Sequence, residues 1–105
     1  DTPEAIIEHA AEIIANLDPK NLNNANSGMA LVNKINATLV MIDEGFYVEA
    51  LEKLHDDILQ KTDGCTTTGE PDSNDWILTC EDQEELYPLI TQAIELLENL
   101  IYQSW

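Results

Sequence analysis

The stretch LVNKINATLVMIDEGFYVEALEKL, residues 31–54, decides the fold. Val32, Ile35, Leu39 and Ile42 recur at spacings of three and four, which puts them on one stripe of a helix. Gly45 follows directly, and glycine is the residue best suited to the left-handed conformation that ends a helix. Phe46, Ala50, Leu51, Leu54, Ile58 and Leu59 then restart the same spacing. Two helices are expected, over about 29–44 and 46–61, and so short a connection makes them antiparallel neighbours.

Outward from this hairpin the helical spacing continues at both ends. On the N-terminal side, Thr2 suits an N-cap and Pro3 a first helical position, where its missing N–H costs nothing. Ile6, Ala10, Ile13, Ile14 and Leu17 follow as an apolar stripe, and Asp18-Pro19 is the expected stop, since a residue before proline avoids the helical region. Residues 19–28 are rich in asparagine and read as a connector. On the C-terminal side, Leu86, Leu89, Ile90, Ala93, Ile94, Leu97, Leu100 and Ile101 predict a helix from about 81 to 102. Thr79 and Asp82 resemble a capping box at its start, and Pro88 predicts a kink or break. Between Thr62 and Thr79 the periodicity stops, and glycines, Pro71 and Asx residues predict an irregular loop. Trp76, Ile77 and Leu78 are expected to fold back onto the core. The fold expected is all-α: a four-helix bundle with the antiparallel hairpin and a disulfide-pinned loop over 62–79.

Cys65 lies in that loop and Cys80 directly follows it. Zinc normally takes four ligands, often in close Cys-x2-Cys pairs, and a thioredoxin-like centre wants Cys-x-x-Cys; neither pattern occurs. A structural disulfide closing about 15 residues is expected, worth roughly 3 kcal/mol in the chain-entropy model. Two free buried thiols are the alternative. A disulfide implies an oxidising compartment, so the localisation expected is extracellular or cell-surface. The chain starts at Asp1 without an initiator Met or signal-peptide pattern, and 1–105 is expected to be one helical domain taken from a larger extracellular protein.

Twenty-one acidic residues face four lysines and no arginine, a formal charge of −17. Direct nucleic-acid binding needs a basic footprint, which is missing, and anionic membranes are disfavoured on the same ground. No apolar run reaches the roughly 20 residues of a membrane span. The charge suits a soluble, displayed domain; it also leaves open an acidic decoy that imitates nucleic acid.

The loop carries the candidate site. Asp63, Asp72, Asn74 and Asp75 are hard oxygen donors of the kind calcium prefers, with Trp76 beside them as an aromatic contact for a partner. The Asp-x-Asx-x-Asx-Gly register and the later bidentate Glu of an EF-hand are absent, and Asx residues also serve simply as turn formers. His9 and His55 sit on different helices without a Glu-x-x-His pattern, so a bundle metal site is not expected there. Adjacent acids such as Asp56 and Asp57, or Glu84 and Glu85, point apart on a helix and make no acid–base dyad. With no nucleophile elbow or phosphate loop, an enzyme is not expected. Trp105 is a second exposed-aromatic candidate at the C-terminus.

Leu31-Val32-Asn33-Lys34-Ile35-Asn36-Ala37, then Met41 to Tyr47, Ala50-Leu51 and Leu54, with Leu86 to Leu97 later, resemble the helical pattern of FIMAH-type modules over roughly two-thirds of the chain. These are small helical domains appended to large secreted or surface proteins of bacteria and archaea. The segment from Asp63 to Cys80 departs from that pattern. The resemblance implies an accessory module with no catalytic residues to carry over. The function expected is therefore a non-catalytic spacer or interaction module, with neighbouring domains or other surface proteins as partners and no required cofactor. The alternatives are a calcium-dependent binding module acting through the 63–80 loop and the acidic decoy.

Overall fold

The computed structural model describes residues 2–103, so Trp105 lies outside them. It is all-α, with five α-helices: α1 Pro3–Ala15, α2 Ser27–Asp43, α3 Tyr47–Lys53, α4 Gly64–Thr68 and α5 Cys80–Gln103. Among the described residues the only β pairing is one isolated antiparallel bridge, Leu22 to Ile77.

Helix α1 starts as its sequence dictates. The Thr2 hydroxyl accepts the Ala5 N–H at 3.1 Å, with Pro3 just inside. It ends at Ala15, three residues before Asp18-Pro19, and Asn16 caps it. Asp18 and Pro19 instead open a separate 3₁₀ turn, Pro19–Asn21, in which the Asp18 carboxylate accepts the Lys20 N–H at 3.1 Å. Ile6, Ile7, Ala10 and Ile14 are buried.

Helix α2 begins two residues earlier than expected, and its buried face is turned by one position. Leu31, Ile35, Thr38 and Ile42 are buried, while Val32 and Leu39 lie at the edge of the core. Thr38 is tolerated inside because its hydroxyl donates to the Lys34 carbonyl at 2.9 Å. Gly45 has φ +84°, the left-handed turn read from the sequence. Phe46 is 49% exposed rather than part of the core.

The segment expected as one helix over 46–61 is three kinds of helix in series. After α3 come a π turn, Leu54–Ile58, and a 3₁₀ turn, Leu59–Lys61. The π turn inserts an extra residue per turn, which lets Leu54 and both of the adjacent Ile58 and Leu59 face inward. Asp57 on this turn binds Lys34 of α2 at 3.0 Å and Lys53 of α3 at 3.2 Å. The Lys34 hydrogen bond, followed by that from Lys53, holds the Asp57 carboxyl below its ordinary pKa.

The 62–79 segment is not wholly irregular, since it contains α4. Trp76 is half-buried and Ile77 fully buried against the core as expected, but Leu78 is exposed. Helix α5 runs through Pro88 without a break. Pro88 and Glu84, whose carbonyl loses a partner, are exposed to water, and the Thr91 hydroxyl donates to the carbonyls of Tyr87 and Pro88. Its inward residues are Gln83, Leu86, Ile90, Ala93 and Leu97, and it packs on α1 and α3. No helix of the described residues is long and apolar enough to cross a membrane.

Candidate functional site

The site is built on a stem that closes the 62–75 loop. The Trp76 N–H donates to the Lys61 carbonyl at 2.9 Å, the Asn23 N–H to the Trp76 carbonyl at 3.0 Å, and the Leu78 N–H to the Asn21 carbonyl at 2.8 Å. Residues 76–78 are thus laced between the end of the α3 extension and the 19–28 connector, with buried Ile77 as the anchor. Lys61 and Lys34 lie 4.9 and 5.8 Å from the Trp76 ring centre. Both ammonium groups therefore hold the indole in place by cation–π attraction.

Inside the stem sits Asp75, only 3% exposed. Its Oδ2 accepts from the Gly64 N–H at 3.1 Å, the Asp72 N–H at 2.9 Å and the Gln83 side-chain amide at 2.9 Å. Gln83, 1% exposed, also donates to the Ile77 carbonyl at 2.7 Å and accepts the Cys65 N–H at 3.0 Å. The Cys65–Cys80 disulfide, with Cα atoms 5.6 Å apart, ties α4 to the start of α5 beside this network. Gly64 leaves no room for a side chain: a Cβ there would run into Asp75 Oδ2 and lie 2.5 Å from the Asp72 nitrogen and 2.7 Å from the Glu70 carbonyl oxygen.

Three carboxylates converge as a result. Asp63, Asp72 and Asp75 each offer an oxygen within 4.8 Å of the other two. Burial, then the negative charges of Asp72 and Asp75, push the Asp63 carboxyl above its ordinary pKa. Asp75 Oδ1 is buried without a protein hydrogen-bond partner, and it is the one such side-chain atom among the described residues. A buried, unshared carboxylate oxygen beside two more acids is an arrangement that a hard cation relieves, by supplying the missing partner and cancelling the repulsion.

The other candidates are placed differently. Asn74 is exposed, and its backbone N–H, not its side chain, is engaged, donating to Asp72 Oδ1 at 2.9 Å. The turn here is made by the Asp72 side chain, with Asn74 as its backbone donor. Both histidines are exposed, and His55 pairs with Asp56 at 2.8 Å. A surface groove of about 510 Å³ runs along His9, Glu12, Asp18, Asn21, Asp82 and Glu85 and does not include the three aspartates. Sequence reasoning missed Gly64 and Gln83. Gln83 had a signal: it stands three residues before Leu86 and seven before Ile90, a polar amide on an apolar stripe. Gly64 had none, because its backbone angle is unremarkable and only the tertiary approach demands it.

No family model, curated protein or solved structure matches the chain.

The raised Asp63 pKa has a pH consequence. Above the ordinary value of 3.8 the folded state holds this proton more tightly than the unfolded chain does. Its contribution to stability therefore falls as pH rises through the raised value and recovers on acidification. In chelator, Asp63→Asn should be more stable than wild type at neutral pH, with the advantage vanishing towards pH 4. Paired thermal melts across pH check this, and an advantage that grows on acidification sinks it.

Proposed function

We propose that the chain is a non-catalytic accessory or interaction module of a secreted or cell-surface protein, and that its pinned loop is a calcium site. The observation that carries the calcium reading is the buried, unpartnered Asp75 Oδ1 within the Asp63–Asp72–Asp75 triad. All three donors are carboxylate oxygens, which suits calcium and offers zinc neither nitrogen nor sulfur. Three carboxylates with water completing the shell fit a site tuned to extracellular calcium, with a Kd of about 10⁻⁴ to 10⁻³ M. The disulfide supports the extracellular assignment. We also read α1, α2, α3 with its extension, and α5 as a four-helix bundle in which α2 and α3 run antiparallel about Gly45; the short connection and the packing of α1 against α2 and α5 support it.

Melting the protein in 10 mM calcium and in chelator tests the site. Mass action gives about 1.4 to 2.7 kcal/mol of stabilisation, a rise in Tm of roughly 10 °C. Because any divalent ion screens a charge of −17, magnesium at equal concentration and Asp75→Asn serve as controls. Equal melting in calcium and magnesium, or a full calcium shift in the Asp75→Asn protein, would rule the site out.

A further inference from the structure

We propose that the disulfide and the calcium site are coupled, so that oxidation of Cys65 and Cys80 raises calcium affinity and bound calcium protects the disulfide from reduction; this rests on the calcium reading above. The coupling follows from what holds α4. Its only buried residue is Gly64, so no apolar side chain anchors this helix to the rest of the protein. What does anchor it is the disulfide, the Gly64 N–H on Asp75, and the Cys65 N–H on Gln83. The last two bonds come from residues at or next to the bridged cysteine, and one of them ends on the carboxylate that carries the unpartnered oxygen.

The stem stays put without the disulfide, because Trp76 and Leu78 are held by backbone bonds to Lys61 and Asn21 and Ile77 is buried. Opening the disulfide therefore loosens a defined piece, residues 63–75, which is then held by the Gly64–Asp75 and Cys65–Gln83 hydrogen bonds only, and the ion must offset more loop entropy to keep the three carboxylates together. Calcium and disulfide close the same loop, and each lowers the cost of the other. By linkage the effect is reciprocal: the factor by which reduction weakens calcium binding is the factor by which calcium disfavours reduction. The reductive step is ordinary exchange. An external dithiol gives two electrons, its thiol protons pass to the two cysteine sulfurs, and it leaves as its own disulfide. Both cysteines are half-buried rather than sealed, so a thiolate can reach them. In an oxidising, calcium-rich exterior the loop is locked twice. In a reducing, calcium-poor cytosol neither lock holds.

Two measurements on the full chain test this. Calcium chloride is titrated calorimetrically into the oxidised protein and into protein reduced with dithiothreitol and alkylated. The reduced form should bind about tenfold more weakly or worse. Separately, the dithiothreitol concentration that half-reduces the native disulfide is measured in calcium, in magnesium and in chelator. Calcium alone should raise it by a comparable factor. The second measurement needs no altered protein, so it decides the matter even where the alkylated form loses its helical signal. Equal calcium affinity in both forms, or a half-reduction point unmoved by calcium, overturns the coupling and leaves the site standing. No heat or saturation with the oxidised protein overturns both.

Discussion

Gly64→Ala is expected to destabilise the protein by about 3 kcal/mol and to abolish the calcium-dependent rise in Tm. The added methyl meets the Asp72 nitrogen, the Glu70 carbonyl oxygen and the Asp75 carboxylate at once. Two of these are backbone atoms that cannot swing aside, and the third is held by three donors. Relief requires that α4 back away from Asp75, which breaks the Gly64–Asp75 bond and opens the triad. The comparison with Gly45→Ala sharpens the expectation. At Gly45 nothing lies within 4 Å, but φ is +84°, so the cost is backbone strain of about 1 kcal/mol. Thermal melts of the two variants should place Gly64→Ala roughly 12 °C or more below wild type, with Gly45→Ala between them. The reverse order would mean that the close packing at Gly64 is not what closes the loop.

Gln83→Leu should cost a similar amount, about 3 kcal/mol, although leucine fits the apolar stripe on which residue 83 lies. The loss is polar. The Ile77 carbonyl and the Cys65 N–H each lose their Gln83 partner, and the Asp75 carboxylate loses one of three donors. Leaving such groups unpaired in a buried place costs more than the hydrogen bonds themselves contribute. Calorimetry should then find calcium binding weakened at least tenfold, because Asp75 is no longer held from the α5 side. A Gln83→Leu protein that melts with wild type and binds calcium unchanged would reduce this amide to a bystander.

Both residues escaped the sequence reading, for different reasons. Gln83 stands in the stripe of Leu86, Ile90, Ala93 and Leu97, where one polar residue is easily passed over. Gly64 sits in a run that looks like loop, and its special requirement is spatial. The converse case is Thr38, a polar residue that α2 buries by returning its hydroxyl to its own backbone. Pro88 shows the limit of a local rule. Of the kink or break expected there, the break does not occur: the proline falls on the solvent face, where water can serve the freed carbonyl, and the helix continues.

What residues 31–54 and the flanking stripes determined alone is the helical class, the Gly45 turn and the extents of α1, α2 and α5 to within a few residues, because a period of 3.6 and a left-handed glycine are local properties; the π and 3₁₀ turns after α3 and the short α4 were not legible. The pairing of Cys65 with Cys80 was legible too, since the chain's two cysteines leave one partner each. What only the tertiary structure decided is which acids meet. Asp63, Asp72 and Asp75 are separated by up to twelve residues and converge because Ile77 anchors the stem, Gly64 permits close approach, and Gln83 reaches in from α5. Asn74, equally suited by chemistry, is exposed and engaged through its backbone N–H on Asp72. Hard oxygen donors announce themselves by type, but a site is a set of distances, and those are set by contacts between segments far apart in the chain.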